Sequence, residues 1–110
     1  MMRVIGTLMV AVLCLAGAMA LAGTDPTARI RHGHQLAETL CAGCHAIGVD
    51  DASPVAAAPA FRGLGHDYPV GDLGEALAEG IVTGHEGMPE VTLEPDDIYA
   101  FLAYLKSIQK

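Results

Sequence analysis

Cys41-Ala42-Gly43-Cys44-His45 constrains this chain more than any other stretch. Positions i, i+3 and i+4 of a helical turn share one face. Two thiols at that spacing can form thioethers to the two vinyl groups of one porphyrin. The histidine that follows is then placed beneath the iron as its proximal ligand. Small residues between the cysteines let the backbone lie close to the ring. The pentapeptide therefore reads as a covalent haem attachment site. A structural zinc site would need two further ligands at comparable spacing, and there is no second Cys pair. A thioredoxin-like pair would need alternating strands and helices around it, a pattern absent from this sequence.

Residues 1–22 differ sharply from the rest. Arg3 follows the amino terminus, and residues 4–22 carry no charge. Ala18-Met19-Ala20 and Ala20-Leu21-Ala22 both fit a small-x-small cleavage site. The segment reads as a cleaved signal peptide, with a retained membrane anchor as the alternative. A domain at 23–110 would remain, exported to the periplasm. Cys14 leaves with the signal, so the remaining cysteines are Cys41 and Cys44. A small exported domain without spare thiols has no disulfide framework and needs another staple. Covalent haem would be that staple. With no Trp, three Tyr and two Phe, the chain brings little aromatic core of its own.

The whole chain has 6 Lys and Arg against 13 Asp and Glu. Without Arg3 the balance falls from −7 to −8. Such acidity argues against nucleic acid and against anionic membrane surfaces. It suits a redox partner with a basic docking face, and equally the plain solubility of an exported protein.

Asp25 reads as an N-cap with Pro26 at the first helical position, opening a helix that runs from Thr27 into the haem motif. Gly33 interrupts it at a cost of about 1 kcal/mol, which implies close packing against another helix. Residues 46–65 are irregular, punctuated by Gly and Pro, and a loop of that length suits wrapping a ligand. Leu73, Leu77 and Ile81 form an i, i+4, i+8 stripe and predict a short helix over 73–82. In the last helix, Pro95 fits the first turn and Asp96 and Asp97 the positive dipole end. Ile98, Phe101, Leu102, Leu105 and Ile108 form its apolar stripe, and Lys106 and Lys110 lie at its negative end. Nothing reads as a strand.

With these features in this order, the chain resembles the class I cytochrome c family over residues 27–109. The resemblance rests on Gly33 eight residues before Cys41, the Cys41–His45 motif, Gly87-Met88-Pro89, and Phe101-Leu102-Ala103-Tyr104-Leu105-Lys106. It implies an all-α cytochrome c fold, with three main helices and long loops wrapped around one covalent haem c. It also implies that the first and last helices cross at Gly33, near Phe101 and Tyr104. Ala37 departs from the family, which often has a larger apolar residue there.

Met88 is the methionine that remains after signal cleavage, in a non-helical stretch before Pro89. The resemblance makes it the second axial ligand, with His85 the alternative. Pro59 is implied as the residue whose carbonyl accepts from His45, with Pro54 a second candidate. Tyr68 and Arg62 are candidates for the haem propionates, with ordinary loop packing as the alternative. His32, His34 and His66 are expected to face solvent or bond locally. The resulting expectation is a monomeric single-haem carrier of one electron, not an enzyme, because both axial positions are filled. A haem subunit held on a periplasmic dehydrogenase, and a ligand sensor or peroxidase-like protein in which Met88 is displaced, are the rival readings.

Overall fold

The computed structural model describes residues 25–80 and 87–110. The signal-like segment, Ile81 and His85 lie outside the described residues. Three α-helices are present: α1 (Pro26–Leu40), α2 (Leu73–Glu79) and α3 (Pro95–Ile108). Two 3₁₀ segments, Phe61–His66 and Val70–Asp72, precede α2. No strand occurs among the described residues, and the fold is all-α. None of the described helices is long and apolar enough to cross a membrane.

α1 starts where its capping chemistry dictates. Pro26 occupies the first turn, and the Thr27 N–H donates to Asp25 Oδ1 at 3.0 Å. It ends one residue before the cysteine motif, short of the expected run into it. The Cys41 and Ala42 amides both donate to the Ala37 carbonyl, at 2.9 and 3.0 Å. The motif then forms a separate turn, closed by His45 N–H to the Cys41 carbonyl at 2.9 Å.

α1 and α3 cross in direct backbone contact. A Cβ built on Gly33 would lie 2.6 Å from the Ala100 carbonyl carbon and 2.7 Å from Tyr104 Cβ. Only glycine fits without separating the helices. The partner of Gly33 is thus Ala100 together with Tyr104, and not Phe101, whose side chain turns into the core. Ala37 is fully buried one turn further on, a small residue matched to the tight crossing. His32 Nε2 lies 2.7 Å from Asp97 Oδ1 across the same pair of helices. His32 faces solvent, as one of the two expectations had it, and its bond is interhelical and not local. His34 packs edge-on against Tyr104 at 5.0 Å, and His66 is exposed.

The core joins Ile98, Phe101, Leu105 and Ile108 of α3 to Leu77, Val70, Phe61 and Ile47. α2 stops at Glu79 with Gly80 after it, three residues earlier than the stripe suggested. The loop before Phe61 is held by side chains in place of a ladder. Asp51 accepts from the Ile47 and Gly48 amides at 3.2 and 3.0 Å, and Ser53 Oγ accepts from Ala46 N–H at 2.9 Å. Residues 61–66, expected to be irregular, instead form 3₁₀ turns, which the short Gly-containing run permits.

Candidate functional site: an apolar cleft beside the cysteine motif

The motif turn, the 57–68 segment, α2, the 87–91 stretch and α3 together enclose a cleft of about 390 Å³. This is within the size range of cofactor sites. Its walls are mostly apolar, with Leu64, Leu73, Leu77, Val91, Phe101 and Leu105 contributing. Cys41, Cys44, His45 and Met88 all line it. Four chemistry-bearing side chains from two distant parts of the sequence therefore meet in one cavity.

Both cysteines are free thiols. Cys41 is half-buried under the end of α1, and burial pushes its thiol up to about 11. Cys44 is exposed, so the pair presents one sheltered and one open sulfur.

His45 is oriented from two sides. Its Nδ1–H donates to the Pro59 carbonyl at 2.7 Å. The acceptor is Pro59 and not Pro54. With Nδ1 committed in this way, metal ligation falls to Nε2. The imidazole also packs on Phe61, with centroids 4.9 Å apart and planes tilted by 36°. Phe61 is braced in turn by an edge contact to Phe101 at 5.9 Å. The role of Phe61 was missed in the sequence, where its place two residues after Pro59 was the one available signal.

Gly87 has φ +83°, a left-handed conformation that glycine adopts without strain. That turn delivers Met88 into the cleft, with Pro89 fixing the backbone after it. Tyr68 stands at the cleft with Asp67. Its hydroxyl is pushed above the usual tyrosine range, mainly by burial and then by the Asp67 carboxylate. Arg62 is not at the cleft. Its guanidinium donates to the Asp51 carbonyl at 2.8 Å and faces the Asp51 carboxylate at 3.5 Å, so it braces the 46–55 loop.

The donor set fits a covalently attached haem. Two thiols lie on one wall for the vinyl groups, an imidazole and a thioether reach the same space for an iron, and apolar side chains line the remainder for the ring faces.

A family model described as Cytochrome c matches residues 30–109. Comparisons with curated proteins and with solved structures each gave no match.

Proposed function

The chain belongs to the cytochrome c family, and on that premise we propose that it is a periplasmic, single-haem carrier that moves one electron between redox partners. The observation carrying this reading is the convergence of Cys41, Cys44, His45 and Met88 on one apolar cleft. When bound, haem supplies reversible one-electron exchange between ferric and ferrous iron.

The protein's own residues do the rest. Cys41 and Cys44 anchor the group, so it stays with the chain through each exchange. The Pro59 carbonyl holds the His45 tautomer and ring plane, which limits reorganisation. Gly87 and Pro89 aim Met88, whose thioether favours the reduced state relative to a second imidazole. His45 and Met88 together would hold the iron through protein side chains, which supports a carrier over an enzyme. Phe61, Leu64 and Leu105 contribute apolar lining to the site.

The charge pattern supports a partner with a basic docking face. Residues 63–105 contain nine of the thirteen Asp and Glu and no Lys or Arg. Asp72, Glu75 and Glu79 at α2 and Glu94 and Asp96 at the start of α3 are all exposed. Redox encounters are small and transient, so this sign asymmetry would act chiefly on association rate.

The test is a reduced-minus-oxidised optical spectrum of the exported protein, followed by Met88→Ala. Loss of the sulfur-to-iron charge-transfer band with a lowered potential supports Met88 as ligand; an unchanged spectrum points to His85. Ready CO binding by the reduced wild type at neutral pH would favour a ligand sensor. Co-elution of the native protein with a larger dehydrogenase would favour a bound subunit.

A further inference from the structure

Gln109 lies just beyond α3, outside the cleft, yet both ends of its carboxamide are engaged. Its Nε2 donates to the Leu105 carbonyl at 2.9 Å, closing the helix end. The same nitrogen donates to the Phe61 carbonyl at 2.7 Å. Its Oε1 accepts from the Gly65 N–H, also at 2.7 Å. A Cβ on Gly65 would stand 2.9 Å from that oxygen, so the glycine leaves the approach open.

These bonds hold one short stretch of chain, and that stretch orients His45. The Phe61 peptide is held from both sides: its N–H donates to the Ala46 carbonyl at 2.9 Å, and its C=O accepts from Gln109. The Phe61 ring packs on the His45 imidazole. Two residues earlier, the Pro59 carbonyl accepts from His45 Nδ1. The Lys110 N–H donates to the Arg62 carbonyl at 3.0 Å and reinforces the same clasp. Arg62 itself ties the stretch to Asp51. Gln109 is therefore a side chain whose hydrogen bonds fasten the 61–65 part of the His45-bearing wall to α3, as the Tyr104 hydroxyl fastens Ile47.

We propose that Gln109 is a positioning residue for His45: by clamping Phe61 and Gly65 to α3, it sets the Pro59–His45 hydrogen bond and thereby the electron-donating strength of the imidazole. This rests on the haem-carrier reading above. A firm Nδ1–H···O=C bond makes the ring a better donor, which favours the ferric state. Loosening the wall weakens that bond and shifts the balance toward the ferrous state.

The experiment compares haem-loaded wild type with Gln109→Met, Gln109→Glu and, as a control, His32→Ala, which breaks an α1–α3 contact remote from this stretch. Three quantities are read: the reduction potential, the His45 ring resonances of the ferric protein, and amide exchange at Gly65. For Gln109→Met, the reduced-to-oxidised ratio at the wild-type midpoint rises several-fold, the ring resonances move and the Gly65 amide exchanges faster. Gln109→Glu keeps an acceptor for Gly65 and retains part of that protection, but it loses the donor to Phe61, so the ring resonances still move. His32→Ala leaves potential and ring resonances at wild-type values.

Potentials and ring resonances unmoved in both Gln109 variants, even with lowered stability, would make Gln109 a helix cap only and overturn the assignment. Wild-type protein that carries no haem would overturn the carrier reading and this assignment together.

Discussion

Where α1 crosses α3, contact is steric: Gly33 lies on the Ala100 backbone, and Ala37 is buried one turn on. The wall on the His45 side of the cleft meets α3 through side chains, Phe61 against Phe101, and not through backbone contact at a glycine. Asp51, Ser53 and Gln109 hold its backbone through individual hydrogen bonds. The seam at Gly33 tolerates almost no added volume, because interiors are close-packed. A wall fastened by single side chains loses one bond at a time. The crossing thus fixes the frame, whereas the wall can set the ligand geometry in small steps. Substitutions in the two regions should differ accordingly.

The largest effect is expected at the frame. Leu105 is fully buried between α3 and the cleft, and Leu105→Ala should cost about 2–5 kcal/mol in denaturant unfolding of the haem-loaded protein. Gly33→Ala should follow, at about 1–3 kcal/mol or more, because the new methyl meets backbone that cannot rotate away. A Gly33→Ala protein as stable as wild type would show that the crossing is looser than described.

At the wall, Asp51→Ala should cost about 1–3 kcal/mol, since it leaves the Ile47 and Gly48 amides without their acceptor, while Arg62 keeps the backbone carbonyl at position 51 and loses only the carboxylate. It should also move the potential, whereas Gly33→Ala should change stability and leave the potential nearly unmoved. Equal shifts in potential from both would erase the distinction between the regions.

How far each region could be read in the sequence follows the same division. α1 and α3 were legible because caps and apolar stripes are local signals, and Gly33 announced a close approach. Its partner was less legible, since choosing Ala100 over Phe101 depends on helix rotation. The cysteine motif needs only five consecutive residues and could be read directly. Phe61 and Gln109 could not be. Their roles arise when α3 is laid beside the 61–66 stretch, 48 residues away in sequence, and Gly63 and Gly65 disguised that stretch as plain loop. Arg62 stayed open for a related reason: a cation near a cofactor site suggests an anion partner, and the structure shows its guanidinium on the Asp51 carbonyl and carboxylate.

A smaller effect should appear in alkali. The Tyr104 hydroxyl donates to the Ile47 carbonyl, joining frame to wall. Burial, then the Asp51 and Glu38 carboxylates, hold its ionisation above the usual value of 10.0. The unfolded chain then loses that proton first, so stability should fall as pH rises through the unfolded value toward the folded one. Tyr104→Phe should be less stable at neutral pH but should decline less steeply above about pH 10. Parallel declines would remove Tyr104 as the cause. The smallest effect is expected for His32→Ala, within about 1 kcal/mol, because both partners of the His32–Asp97 pair are substantially exposed.

The most direct test is the mass of the protein under denaturing conditions, after production in a host that matures c-type haem proteins. A polypeptide heavier by one haem, with the increment lost when Cys41 and Cys44 are both replaced by alanine, is the expected result. A mass equal to that of the bare polypeptide would contradict the account.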